Sequence, residues 1–497
     1  MSDEINENPQ NLASRTGLKS RLLKGFSANI YGQVVTAIVQ LVGVPILLHA
    51  WGVELYGEWL IVFAIPAYLS MTDLGFSQSA ANDMTAQVAR NDRAGALIVF
   101  QSLIAFVYIA MLCMLALTSL LTFSLPLENW IHPAQMTISE VRWTLWFLAA
   151  AVLAQLPDGI NHAGFRAGGD YALHRTLHST IRLVQFSSIW IIALAGEGPV
   201  AAAAAFCVVR GTATLALAFL LLYRQQWLRY SIADATFSEL RRLFHPAMAN
   251  IAIPLAQGLN IQGMILAVGA VLGSLAVVTF STLRTLTRMV LQLVFSICHA
   301  AEPELAAAYG ARNRNLSRHL FMESLRAGLW IAIMSATFLF VFGDRILAIW
   351  THGKVQMDSV LFSWLLISAI ASVLWYSGLI VLKAANQHLR ASAVFTVSAG
   401  AAIGVAVILM SWSGRVAEAG LALLLMDGAI TLYILPRALK FTGARALPDL
   451  VSLVNPIGFV STIFRALQHK LSGEEKFTCS TPKILPGERS TGKDKNL

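Results

Sequence analysis

The chain has 497 residues, 56% of them hydrophobic and only 13% charged, and its mean hydropathy is +0.64. Soluble domains run at about 25% charged residues, so this sequence cannot cover a soluble surface and reads as a polytopic membrane protein. The formal net charge is +9; its placement follows membrane topology and gives no ground for nucleic-acid binding.

Residues 1–25 are polar and basic and are expected in the cytoplasm. No secretory signal peptide is expected, because the first apolar run has the length of a span and lacks a small-residue cleavage site. Runs of about 20 apolar residues mark spans. Twelve follow, at 26–48, 57–78, 95–124, 142–165, 176–196, 199–223, 245–270, 274–300, 322–343, 360–382, 391–411 and 416–436. The first six make a bundle over 26–224, a linker covers 225–244, and a second bundle covers 245–440. In the tail, 441–497, an apolar stretch at 447–470 is interrupted by Asp449, Asn455-Pro456, Arg465 and His469, which suits an interfacial helix better than a further span. Residues 471–497 have the composition of a disordered segment. Cys113, Cys207, Cys298 and Cys479 show no metal spacing and read as packing residues, so no metal site is expected. With the N-terminus inside, most of the Lys and Arg fall in cytoplasmic segments, which places both termini in the cytoplasm.

The sequence also repeats. "FRAGGDY" (165–171) matches "LKAANQH" (382–388), and "RGTATL" (210–215) matches "DGAITL" (427–432), both 217 residues apart. Gly52 matches Gly273 at 221, and the loops "RNDR" (90–93) and "RNRN" (312–315) fall within one residue of that spacing. Six spans per unit is even, so both halves enter the membrane from the same side. The expected fold is an all-α integral membrane protein of about twelve helices, in two parallel six-helix repeats around a central cavity, with substrate near the midplane where the halves meet.

The stretch "LLHAWGVELYGEWLIVFAIPAYLSMTDLGFSQS" (47–79) carries a turn, Trp51-Gly52-Val53-Glu54-Leu55-Tyr56-Gly57, and then Asp73-Leu74-Gly75. Pro303-Glu304-Leu305 follows the eighth span. Over about 20–440 the chain resembles the polysaccharide flippases, or O-antigen transporters, of the multidrug/oligosaccharidyl-lipid/polysaccharide (MOP) exporter superfamily. These commonly show "LG-x-x-x-YG" and "D-x-G" at those places, with Trp here in place of the usual Leu. The resemblance implies alternating access and a bacterial cytoplasmic (inner) membrane location. It also implies a polyprenyl-pyrophosphate-linked oligosaccharide as substrate, for cell-surface polysaccharide biosynthesis, and often a cationic cavity.

The intramembrane charges then draw attention. An arginine at mid-membrane costs roughly 2.5–3.5 kcal/mol, yet the eighth span carries Arg284 and Arg288 one turn apart. With Ser281, Thr285, Gln292, Ser296 and His299 they recur at steps of three and four, as one polar stripe that faces water or protein. One reading is a cationic wall whose guanidiniums fork onto pyrophosphate oxygens; the other is ion pairing with a neighbouring helix, or snorkelling for Arg288. Arg210 matches Asp427 in the repeat, so each is either satisfied within its own bundle or bridges the halves, and Arg210 is also a substrate-contact candidate. Arg182 reads as snorkelling to the inner surface. Asn29, Gln33 and Gln40 share one face of the first span, and Gln257, Asn260 and Gln262 lie in the seventh. Pro45, Pro66 and Pro254 are expected kinks.

Asp73, Asp158 and Asp427 are candidates for coupling to a Na+ or H+ gradient, or else partners of the arginines. No other cofactor is expected. "GERSTGKD" (487–494) imitates a phosphate-binding loop, but Asp494 replaces the required hydroxyl and no strand precedes it. The expected partners are the lipid-linked oligosaccharide, membrane lipid, and a polysaccharide polymerase or ligase. An ion-coupled drug antiporter of the same architecture is the alternative, although organic cations favour acidic cavities. A membrane polymerase or ligase is a second alternative, but the longest outer loop, 125–141, offers only His132 and scattered acids. The chain is therefore not expected to be an enzyme.

Overall fold

The computed structural model of the chain describes residues 9–444, apart from 74, 130–132, 312 and 386. The first half holds α1 (Pro9–Ala64), α2 (Phe76–Ala89), α3 (Arg93–Ser124), α4 (Ile138–Leu153), α5 (Leu156–Ala167), α6 (Tyr171–Leu194) and α7 (Pro199–Arg224). The second holds α8 (Phe237–Gly258), α9 (Met264–Gly310), α10 (Arg314–Thr351), α11 (Ser359–Ala384), α12 (Leu389–Ser413) and α13 (Ala417–Thr442). A 3-10 helix at Pro66–Asp73 links α1 to α2, and a π-helix at Leu259–Gly263 links α8 to α9. Among the described residues there is no strand. The stretches 447–470 and 471–497 lie outside the described residues.

Among the described residues ten helical stretches are long and apolar enough to cross a membrane, and two of them, Ser27–Leu69 and Ile253–Gln292, are of double length. Each of these two is broken by a glycine. Gly52 has φ 76 and ψ −178, and Gly273 has φ 81 and ψ −175, a region open in practice only to glycine. Counted across these breaks, the spans among the described residues number twelve. The protein is a multi-pass, all-helical membrane protein.

The matched breaks are one sign of a repeat, and side chains give others. Thr214 Oγ1 donates to Ala154 O at 3.0 Å, and Thr431 Oγ1, 217 residues on, donates to Ala371 O at 3.3 Å. Asp92 caps α3 through Gly95 N at 2.8 Å, and Asn313, 221 residues on, caps α10 through Leu316 N at 3.1 Å. Asp170 N closes α5 on Phe165 O, and Gln387 N closes α11 on Leu382 O, both at 2.8 Å.

Two expected spans are not continuous. The second, 57–78, leaves α-helical geometry at Pro66 and resumes at Phe76, after Gly75 in the left-handed region. Proline removes a donor and clashes with the preceding turn, so the helix tightens there. The fourth span, 142–165, divides between α4 and α5, with Pro157 in the first turn of α5. Pro45 stays inside α1. Several helices also overrun their apolar windows, α1 from Pro9 and α9 to Gly310, because polar turns outside the bilayer remain helical.

The two lobes meet along α1, α2, α8 and α9. Gly57 packs against the backbone of Ser274, where a Cβ would collide. Gln292 Nε2 donates to Gln40 Oε1 at 2.7 Å, and Trp350 Nε1 donates to Leu41 O at 2.7 Å. Toward the N-terminal side, Arg242 pairs with Asp83. Large apolar side chains such as Ile109, Phe219, Phe340 and Ile408 stand exposed on the outer faces of the helices, as a lipid-facing surface requires.

Candidate functional site

On α9 the polar stripe divides by depth of burial. Arg284 is only 8% exposed. One arm donates to Asn260 Oδ1 at 2.5 Å, and the guanidinium lies 5.4 Å from the Phe280 ring centroid. Its other terminal nitrogen is buried with no hydrogen-bond partner among the described residues, and so is Ser281 Oγ. Asn260 belongs to the π-helical turn, a distortion frequent at functional sites. Arg288 is less buried and makes no hydrogen bond or ion pair among the described residues.

Arg182 corrects the sequence-based expectation. It does not reach for the inner surface. It donates to Thr36 Oγ1 at 3.2 Å and lines a cavity of about 370 Å3 with Arg210, His178, Gln155 and Gln185. Gln262 brings the second lobe to the same cavity. An adjoining cavity of about 280 Å3 is lined by Asp158, His162, His174 and Arg175, and His178 and Gln155 stand in both walls.

Between these cavities a buried network crosses α5, α6 and α7. Asp158, 3% exposed, accepts from Arg210 at 3.0 Å, from His174 Nε2 at 3.0 Å and from His178 Nδ1 at 2.6 Å. His162 Nδ1 lies 3.4 Å from His174 Nδ1. An ionised carboxylate only accepts, so His174 presents N–H at Nε2. Its Nδ1 then accepts from His162 when His174 is neutral and donates when it is charged. The chain of groups can thus hold one proton more or fewer without losing its bonds.

Arg210 and Asp427 each find their partners within their own lobe and do not bridge the halves, although Arg210 Nε is buried without a hydrogen-bond partner among the described residues. Asp427 accepts from Trp375 Nε1 at 2.9 Å and from Ser368 Oγ at 2.5 Å. Trp375 is the repeat equivalent of Asp158, so the same contact recurs with donor and acceptor exchanged. Gln292 and Gln33 stand on an apolar groove of about 640 Å3 between α1 and α9–α10. Asn29, exposed, accepts from Arg175 at 3.2 Å and is not drawn into the cavities. The side chain of Asp73 lies outside the described part of the chain, as do those of Ser296 and His299. Sequence reasoning missed the histidines, although His174 and His178 at i, i+4 share a helix face with Arg182. It also missed Glu58, a buried carboxylate that pins the loop before α4 through Ala134 N, Gln135 N and Met136 N at 2.6–2.9 Å.

No protein-family model matches the chain, and no curated protein matches it. Solved structures do. An inward-facing multidrug resistance MATE family transporter of the MOP superfamily superposes with a TM-score of 0.66 at 13% identity, over 83% of this chain and 94% of that one. The outward-facing conformation of such a transporter gives 0.60 at 14%, over 88% and 97%. A MATE structure in the bent conformation gives 0.57 at 14%, over 88% and 97%. At such identities the likeness is one of fold, and the chain has the fold of these MATE transporters.

Proposed function

We propose that this chain is a transporter working by alternating access between its two lobes. Its cargo is a polyprenyl-pyrophosphate-linked oligosaccharide, flipped across the bacterial cytoplasmic membrane for cell-surface polysaccharide synthesis. The observation that carries this reading is that two arginines, Arg182 in the wall of the cavity that both lobes line and Arg288 on the second lobe, have no carboxylate paired to either among the described residues. Unneutralised guanidiniums at a low-dielectric interface favour an anion, and a pyrophosphate offers forked acceptors to both. Arg284 lies one turn from Arg288 on α9 and Arg210 shares the cavity wall with Arg182, and Ser281, Gln292, Gln33 and Asn29 remain candidates for contacts along the sugar or the lipid. Of the three candidate acids, Asp158 suits coupling best, because His162, His174 and His178 give it a titratable chain between two cavities. That favours H+ over Na+. A polymerase or ligase acting on the flipped lipid is the natural protein partner.

A drug antiporter is the second reading, favoured by the multidrug resistance transporters among the structural neighbours. Proteoliposomes separate the two. The account expects fluorescent lipid-linked oligosaccharide to cross and ethidium not to be exchanged. Ethidium exchange without lipid translocation would favour the antiporter. Full-rate flipping with every ion gradient collapsed would remove the coupling hypothesis.

A further inference from the structure

The two lobes repeat, but their helix ends on the N-terminal side differ. In the first lobe the chain leaving α7 folds over those ends. Gln225 Nε2 donates to Asp170 at 3.1 Å, Tyr230 Oη donates to Asn161 at 2.6 Å, and Leu228 between them is buried. That space is filled. In the second lobe, among the described residues, the ends of α9–α13 surround a pocket of about 960 Å3, and the positions equivalent to Leu228 and Tyr230 lie beyond those residues. Among the described residues its wall carries Arg314, Arg390, Arg437 and Lys440 and no acid. At the repeat spacing of 217, Arg390, Arg437 and Lys440 replace Leu173, Leu220 and Tyr223.

Two of these cations stand where the helix itself disfavours them. Arg314 opens α10 and Arg390 is the second residue of α12, and neither helix has an acid in its first turn. The positive end of a helix dipole repels cations and attracts anions. Arg314, Arg390 and Lys440 make no hydrogen bond or ion pair among the described residues. Arg437 is held flat over Tyr433, 3.5 Å from the ring centroid, with one N–H on Tyr433 O at 2.8 Å, which leaves the rest of its fork open. The chain beyond offers no neutralising excess, since 445–497 carries eight Lys and Arg against five Asp and Glu. Leu305, Leu382 and Phe441 give the pocket an apolar wall, and Leu389 and Leu432 are exposed nearby. Cations beside apolar wall and lipid-facing leucines match an amphiphile.

We infer that this pocket binds the phosphate headgroup of an anionic membrane lipid, with Arg314, Arg390 and Arg437 on the phosphate oxygens and the acyl chains along the leucines. It lies at the helix ends, apart from the mid-helix arginines of the transport proposal, and does not depend on that proposal.

Native mass spectrometry of the purified full chain tests it, with phosphatidylglycerol and phosphatidylcholine of identical acyl chains as probes. The wild type should retain phosphatidylglycerol preferentially. Arg390→Gln/Arg437→Gln should cut that preference by about five-fold for each cation removed, whereas Arg390→Lys/Arg437→Lys should keep most of it. Arg90→Gln/Arg93→Gln, on the same side of the first lobe, should leave it unchanged. Thermal unfolding in lipid-free detergent checks the fold of each variant, and Lys440→Gln carries the single-site expectation should the Gln pair unfold. No headgroup preference in the wild type, or undiminished preference in the folded Gln variants, would overturn the proposal. Millimolar inorganic phosphate separates the sources. A lipid held also by its chains stays bound, and displacement by phosphate would overturn the lipid assignment.

Discussion

Removing the Asp158 carboxylate would strand Arg210, which is 2% exposed and bonded to it at 3.0 Å. An unpaired buried charge costs about 3–5 kcal/mol, while replacing both partners by apolar groups of similar volume is often neutral. Asp158→Ala should therefore destabilise the protein by about that amount in chemical unfolding, and Asp158→Leu/Arg210→Met should recover most of the loss. A small effect in the single variant would mean that the histidines or water already satisfy Arg210. His178 belongs to both cavities, so His178→Ala should flatten the dependence of transport rate on pH; an unaltered profile would exclude it from the proton path. Each of these charges was visible in the sequence as an ionisable group inside an apolar run. Their pairing was not, because Asp158 and Arg210 sit 52 residues apart on different helices and hydropathy carries no information about partners.

Gly52 and Gly273 set the corners from which each lobe's first two spans diverge. Alanine at either must hold a backbone conformation that costs about 1–3 kcal/mol. The repeat predicts similar losses for Gly52→Ala and Gly273→Ala, measured as melting temperatures in detergent. A loss at only one would show that the two corners are not mechanically equivalent. This match was legible from residue spacing, and the twelve apolar runs were legible from composition. The interruptions at 66–75 and 154–155 were not, because a hydropathy window averages over them while single residues such as Pro66 and Gly75 decide the local geometry. The π-turn that holds Asn260 against Arg284 likewise leaves no mark on apolar periodicity.

At the scale of the whole molecule, the polar bonds between the lobes among the described residues include Gln40 to Gln292 at 2.7 Å and Trp350 to Leu41 at 2.7 Å. Alternating access requires such bonds to break. Gln40→Cys/Gln292→Cys, in a background without the native cysteines, should lose transport when bridged by a bifunctional thiol reagent and regain it on cleavage of the bridge; undiminished transport in the bridged form would contradict relative motion along this seam. The architecture was readable from the sequence, but cargo belongs to the site and not to the fold, and the site's cations come from three helices far apart in the chain. Translocation of lipid-linked oligosaccharide in proteoliposomes therefore tests the central claim most directly, comparing wild type with Arg284→Ala/Arg288→Ala at matched folding. The account predicts lost transport in the folded alanine pair and partial rescue by Arg284→Lys/Arg288→Lys. Transport at the wild-type rate in the alanine pair would contradict it and make the polar stripe of α9 structural.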